Sequence, residues 1–201
     1  MLLRPLLLTV NLLVPRGVLS MGEHLSQGLR SGFQESSITW TGNIEENGES
    51  MSFTGPDLQH IESQIRALKP DFSWSAATEP EPESQDPSAD GDILCDLSWN
   101  PSFASVFHIR QGISYLHKIH GNCTNGPGPG NCSRVSCSYS SGIWFCNDNP
   151  HPTSVPCSAF GDRAWDIIQK CYSYGDFPTD SVHGQAFDTA DWNVIVAGAD
   201  C

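Results

Sequence analysis

Histidines and aspartates in the second half of the chain are the residues that could carry acid–base chemistry. Five of the seven histidines follow residue 100, and every acidic residue there is an aspartate. His151 and Asp148 share one loop, and hydrolases use such pairs as general base and general acid. No nucleophile elbow, zinc-protease helix or phosphate-binding loop accompanies them. The sequence therefore assigns no catalytic residue. A secreted hydrolase that uses a His–Asp pair is kept as the alternative function. The other candidate acids are Asp162, Asp166 and Asp188.

A second group with ligand chemistry consists of His117, His120 and Cys123. Two histidines three residues apart lie near one face of a helix, but a tetrahedral metal site needs a fourth donor. Histidines also suit the end of a helix, where its dipole favours a positive charge. Because Cys123 is expected in a disulfide, the sequence predicts no metal and no other cofactor.

The densest cysteine stretch, residues 132–147, predicts a β-hairpin. Its turn is placed at Ser141-Gly142, because glycine supplies the positive φ that such turns need. This register sets Cys137 opposite Cys146 at a non-hydrogen-bonded position, where the Cα separation suits a disulfide. Cys137–Cys146 is therefore the first predicted pair.

The eight cysteines together indicate an oxidising compartment. An even number, none of which precedes residue 95, predicts a disulfide framework. Cys95 and Cys171 are predicted to pair, which ties the first strand of the cysteine-rich domain to the end of its second helix. Three pairings remain open for the other four cysteines, Cys123, Cys132, Cys157 and Cys201.

The N-terminal residues and the charge indicate a secreted, extracellular protein. Residues 1–20 resemble a signal peptide, with an apolar run too short to span a bilayer. Asn122 and Asn131 lie in glycosylation sequons, which agrees with secretion. The net charge of −13 argues against nucleic acid as a partner, since phosphate backbones demand a basic surface. No stable membrane insertion is expected.

Residues 21–75 are predicted to form a ββα module. A hairpin turns at Asn47-Gly48, and apolar residues at three- and four-residue spacing predict a helix that ends before Pro70. So small a unit buries too little surface to be stable alone. It is interpreted as a pro-segment that is later removed; the alternative is an accessory module docked on the larger domain. Residues 76–92 form an acidic, proline-rich linker.

Residues 93–201 are predicted to form a disulfide-stabilised α+β domain. The order is a strand at residues 93–98, a helix capped by Asn100, the central hairpin, a helix capped by Ser158, and strands at residues 182–187 and 192–197. An antiparallel sheet with two helices packed on one face, an α/β sandwich, is the simplest arrangement of these elements.

Residues 93–201 resemble the small secreted fungal proteins of the killer-toxin type. They are also similar to the necrosis-inducing extracellular effectors of plant-pathogenic fungi. The resemblance rests on element order and on these residues: Cys137 and Cys146 as hairpin partners, Cys157 and Cys171 framing the second helix, and a tail running from Val182-His183-Gly184-Gln185 through Asn193-Val194 to Cys201. It implies an α/β sandwich and an extracellular role, in virulence or toxicity, that acts on other cells.

Two proline-rich loops are the expected functional surface. Residues 125–130 (NGPGPG) and 147–156 (NDNPHPTSVP) flank the central hairpin, and proline reduces the entropy that a loop loses on binding. The expected function is that of an effector or toxin-like glycoprotein that binds its target without catalysis. Its expected partner is an extracellular protein or a cell-surface target of a host or competing organism, and the protein itself is expected to be a monomer.

Overall fold

The computed structural model describes residues 33–46, 48–74, 91–98, 102–173 and 180–201. The predicted signal peptide, residues 1–20, lies outside the described residues, as does most of the predicted linker. The described residues have mixed α+β structure with three helices and four disulfides, so the predicted α+β class is confirmed.

The largest sheet has six strands, which lie in the order β1-β7-β8-β13-β12-β4. β1 runs parallel to β7, and every other neighbouring pair is antiparallel. The strands are β1 (Gln34–Glu35), β4 (Ile93–Leu94), β7 (Asn131–Ser138), β8 (Ser141–Asn147), β12 (Gly184–Asp188) and β13 (Trp192–Gly198).

Two smaller sheets complete the strand structure. The four-stranded sheet has the order β3-β2-β6-β9, with β2 (Ile38–Asn43), β3 (Ser50–Gly55), β6 (Asn122–Asn125) and β9 (Thr153–Pro156). The three-stranded sheet has the order β10-β11-β5, with β5 (Ala104–Ser105), β10 (Tyr172–Ser173) and β11 (Ser181–Val182).

The three helices are α1 (Leu58–Leu68), α2 (Val106–Leu116) and α3 (Ala159–Cys171). The Asp57 carboxylate caps α1 by accepting from the backbone N–H of His60 at 2.7 Å. Ser158 occupies the N-cap position of α3, as predicted. The prediction that Asn100 caps α2 is wrong. Ser105 takes that position, because Ala104 and Ser105 are still extended and pair with β11.

The central strands are buried on both faces. Successive side chains of a strand point to opposite sides, so each strand contributes to two clusters. Ile143 and Phe145 of β8 belong to the main core, whereas Trp144 and Cys146 belong to a smaller cluster on the other face. In the main core, Phe160 of α3 stacks on Phe145 with ring centroids 4.6 Å apart. The buried side chains of α2 join the same core: Val106, Ile109, Ile113 and Leu116.

The central hairpin has a different turn from the one predicted. Tyr139 and Ser140 form the turn, with φ values of 46° and 56°. Gly142 lies inside β8, where an added Cβ would lie 2.5 Å from the Trp144 ring, so this glycine gives the indole room. The shifted register sets Cys132 opposite Cys146 and Cys137 opposite Gly142.

Four disulfides follow from this topology. Cys95 pairs with Cys171, as predicted. The predicted Cys137–Cys146 pair is wrong, because the shifted register gives Cys146 to Cys132 across the two strands. The other two bonds are Cys123–Cys157 and Cys137–Cys201.

The described part of the ββα module adds strands to two sheets of the cysteine-rich domain. β2 lies between β3 and β6, and β1 lies at the edge of the main sheet beside β7. A two-residue turn at Asn47-Gly48 predicts Ile44 opposite Met51 and Gly42 opposite Phe53, and this register is wrong by two residues. Gly42 pairs with Met51, and Trp40 pairs with Phe53. The predicted helix is confirmed as α1, with Leu58, Ile61 and Ile65 buried.

Candidate functional site

The two proline-rich loops lie against each other at the end of the hairpin remote from its turn. Gly128 N–H donates to the carbonyl of Asn149 at 2.6 Å. Asn147 lies between the loops, and its Nδ2 donates to the carbonyls of Gly126 and His151 at 2.8 Å each. Loops that are separate in sequence therefore form one surface, which we name the proline-loop surface (residues 126–130 and 148–156).

Asn147 also organises the second loop through its side-chain oxygen. This Oδ1 accepts from the Asn149 N–H at 2.9 Å and from Thr153 Oγ1 at 2.8 Å. The residue is fully buried, so its four bonds act in a region of low dielectric. A single asparagine therefore fixes the path of both loops.

A chain of buried polar side chains connects the loops to the main sheet. Gln185 Nε2 donates to Asn193 Oδ1 at 2.9 Å, and Asn193 Nδ2 donates to Asp148 Oδ2 at 2.7 Å. Asn149 Nδ2 donates to the carbonyls of Ala190 and Asp191 in the β12–β13 turn. The loops are thus held by the strands beneath them as well as by each other.

The outward side of the proline-loop surface is formed by short, stiff side chains. Seven residues of this surface are exposed: Pro127, Pro129, Pro150, His151, Pro152, Ser154 and Pro156. Proline fixes φ, so a partner that contacts these residues orders little backbone. The arrangement suits binding with little rearrangement.

The structure does not bring His151 and Asp148 together as an acid–base pair. The Asp148 carboxylate accepts from Asn193 and, through Oδ1, from Gly130 N–H at 3.4 Å. Nδ1 of the His151 ring instead contacts the carbonyl oxygen of Pro152 at 3.4 Å. Asp148 therefore supports the loops.

His117 and Asp162 are a histidine and an aspartate that do meet, with Nε2 and Oδ1 3.0 Å apart. His117 caps the C-terminus of α2, and Asp162 lies in the first turn of α3, positions that the two helix dipoles favour for these charges. The side chains are 44% and 57% exposed. The geometry is that of a surface contact between two helices.

The remaining candidate acids pair with Arg163. Its guanidinium contacts Asp188 at 2.9 Å and Asp166 at 3.2 Å. Burial raises the pKa of the Asp166 carboxyl, and the neighbouring Arg163 charge opposes that rise. Both aspartates therefore serve an ion-pair cluster.

The prediction that His117 and His120 share one face of a helix is wrong, because α2 ends at Leu116 and Cys123 lies on β6. Cys123 is bonded to Cys157, and the carbonyl of His120 accepts from the indole of Trp40 at 2.6 Å. Across the part of the chain that the structure describes, no group of three His, Cys, Asp or Glu residues could hold a metal ion.

The two sequons differ in their surroundings. Asn122 is exposed on β6, and no hydrogen bond of its side chain is found among the described residues. The Asn131 side chain is engaged, since its Nδ2 donates to the carbonyl of Pro127 at 3.1 Å and its Oδ1 accepts from Ser36 Oγ. Only the Asn122 amide is therefore open to a glycan without loss of a contact.

The opposite end of the main sheet carries aromatic residues that sequence reasoning missed. Tyr139, which is 77% exposed in the hairpin turn, stacks on His108 with ring centroids 4.5 Å apart. Exposed Phe103 stacks on His183 at 3.9 Å. Burial lowers the pKa of His183, while the carbonyl of Cys95 and the charge of Asp96 oppose that shift. Cys132 and Cys146 lie equally far before and after Tyr139 in the sequence. This spacing is the signal that could have placed the hairpin turn at Tyr139.

None of the described helices is long and apolar enough to cross a membrane. Comparison of the chain with protein-family models, with curated proteins and with solved structures finds no match.

Proposed function

We propose that the protein is a secreted effector or toxin-like protein that binds an extracellular target through the proline-loop surface, without catalysis. The target is a protein or a cell-surface component of a host or competing organism. The observation that carries the proposal is the fixing of two exposed proline loops by buried Asn147, which leaves them ordered before binding.

Secretion of the protein is part of the proposal. It is supported by four disulfides, by the signal-like residues 1–20 and by the sequons at Asn122 and Asn131. A fungal origin, a role in virulence and action as a monomer are proposed from the resemblance of residues 93–201 to killer-toxin and necrosis-inducing proteins.

The packing of the helices on the sheet is also part of the proposal. The body is an α/β sandwich in which α2 and α3 cover one face of the antiparallel sheet, which is supported by the core they share with β8 and β13. Folds of this kind host many functions, so the proposed activity rests on the loops.

A secreted hydrolase is the second candidate, and the contact of His117 with Asp162 favours it. A carboxylate can orient an imidazole that acts as a general base. The His117–Asp162 pair is exposed at a contact between two helices, so the hydrolase ranks second.

One binding experiment separates the two candidates. The labelled full-length protein is applied to plant leaf cells and to competing fungi, and bound protein and cell response are measured. We expect a double His151→Ala, Pro152→Ala variant to bind roughly tenfold more weakly, as loss of a central contact residue does. The matched control is Lys118→Ala, an exposed change just beyond the C-terminus of α2.

The His117→Ala variant tests the hydrolase. Full binding and full response in this variant support recognition through the loops. A response that disappears while binding and thermal stability stay normal would establish catalysis by His117 instead. Equal binding by the loop variant and the Lys118→Ala control would refute the assignment of the proline-loop surface.

A further inference from the structure

Residues 33–74 are seated on the cysteine-rich body as added strands. β2 pairs with β6 from Thr39 to Thr41, and β1 pairs with β7 at Gln34 and Glu35. These pairings cover two strand edges that would otherwise expose unpaired backbone groups. The segment therefore completes two sheets of the body.

The apolar side chains of this segment lie inside the main core. Ile38, Trp40, Leu58, Ile61 and Ile65 are each at most 1% exposed and belong to the core that contains α2 and α3. The segment thus buries against the body the apolar surface that would make it unstable on its own.

Charged and polar contacts fix its position. Glu62 Oε2 accepts from Trp74 Nε1 at 3.0 Å and from the Tyr115 hydroxyl of α2 at 3.3 Å. Burial, followed by the charge of Glu62, raises the pKa of Tyr115 well above its ordinary value, so this hydroxyl stays a donor. Arg134 of β7 lies 3.8 Å from Glu35 and 3.9 Å from Asp57.

A partly buried polar cluster joins β1 to the proline-loop surface. Gln34 N–H donates to the carbonyl of Gly130 at 2.9 Å, and Ser36 N–H donates to that of Cys132 at 2.8 Å. Ser36 Oγ also donates to Asn125 Oδ1 at 3.0 Å and contacts Asn131. The segment braces the first proline loop.

No covalent bond other than the backbone holds residues 33–74 to the body. All eight cysteines lie between Cys95 and Cys201, and all four disulfides form within that range. The backbone connection passes through residues 75–90, which carry the sequence EPEPES at residues 79–84. Polar segments that connect packed units are where proteolytic cleavage concentrates.

We propose that the edges of β6 and β7 form an acceptor surface for a strand–strand–helix segment, and that residues 33–74 stay seated there after the linker is cut. The protein then persists as two chains held by non-covalent contacts. Residues 33–74 are on this account a permanent part of the folded protein, in contrast to a pro-segment that is discarded.

The test uses the full chain with residues 79–84 replaced by the recognition sequence of a site-specific protease. The folded protein is cleaved completely and applied to a size-exclusion column at about 1 µM. Cleavage removes the linker that raises the local concentration of the segment in the intact chain. We expect one native peak at the elution volume of the uncut protein. Denaturing electrophoresis without reductant should separate two fragments. Elution of the fragments in separate native peaks would overturn the proposal.

A matched pair of substitutions tests whether residues 33–74 are held by the contacts seen in the structure. In the cleaved protein, Trp40→Phe removes the indole hydrogen bond to the carbonyl of His120, so we expect roughly tenfold weaker retention of the segment. Trp165→Phe makes the same chemical change at a partly exposed position on α3 and should leave retention unchanged. Equal retention in the two variants would show that the segment is not held at this seat.

Discussion

Gly128 passes so close to Asn147 that an added Cβ would lie 1.9 Å from the Asn147 carbonyl oxygen. The two proline loops can meet only with glycine at this position. We expect Gly128→Ala to separate them and to lower the free energy of unfolding by about 1–3 kcal/mol, the usual effect of a forced backbone shift. Urea denaturation measures the change. Gly48→Ala, in a remote loop where the nearest atom would be 3.2 Å away and a small shift relieves the contact, is the control and should cost less stability.

Glycosylation is expected at Asn122 and not at Asn131. A glycan on Asn131 would take one of the two hydrogens of Nδ2 and add bulk beside the Pro127 carbonyl that this nitrogen contacts, whereas Asn122 is exposed. Intact mass measurement of the secreted protein should show loss of the glycan in Asn122→Gln. Asn131→Gln should keep the glycan mass and show reduced stability. A glycopeptide that carries Asn131 would contradict this expectation.

The disulfide map makes a third prediction. Proteolytic peptides of the non-reduced protein should link Cys137 to Cys201 and Cys132 to Cys146. Because the Cys137–Cys201 bond closes a separation of 64 residues, its removal by paired serine substitutions should cost about 2–5 kcal/mol of stability. Denaturant midpoints measure the loss. A peptide that links Cys137 to Cys146 would restore the register predicted from sequence.

His183 predicts a dependence of stability on pH. Burial lowers the pKa of this ring in the folded protein below its ordinary value of 6.5. Below pH 6.5 the unfolded chain therefore takes up a proton that the folded chain does not, and stability falls as the pH decreases through that range. Above it the stability is fully present. The effect belongs to a ring stacked on Phe103 beside Cys95 and Asp96.

The measurement compares urea midpoints at pH 7.5 and pH 5. His183→Gln should show a smaller loss of stability between the two pH values than the unchanged protein. His151→Gln, at an exposed loop position, should lose as much as the unchanged protein does. The same loss in the His183 variant would mean that other groups carry the acid sensitivity.

Local patterns predicted the elements whose boundaries are marked by nearby residues. The spacing of Leu58, Ile61 and Ile65 gave α1, and Ser158 marked the start of α3. The Cys95–Cys171 bond was also predicted, because it joins the ends of two elements whose positions were known. Mixed α+β content followed from the same periodicities.

Contacts between distant residues were not accessible to that reasoning. The hairpin turn was misplaced because Tyr139 and Ser140 adopt positive φ without glycine, and Cys137 is held by the distant Cys201. The loops of the candidate site were identified from their prolines. Their junction depends on Asn147, whose role appears only when the loop ends are brought together.

The position of β13 sets the order in which the protein can fold during synthesis. This strand lies between β8 and β12 in the middle of the main sheet, yet every other strand of that sheet precedes it in the chain. The two halves of the sheet therefore cannot join until residues 192–198 have left the ribosome. Until then their edges stay open to the wrong partners. A nascent chain paused before this strand is consequently the species most in need of chaperone protection.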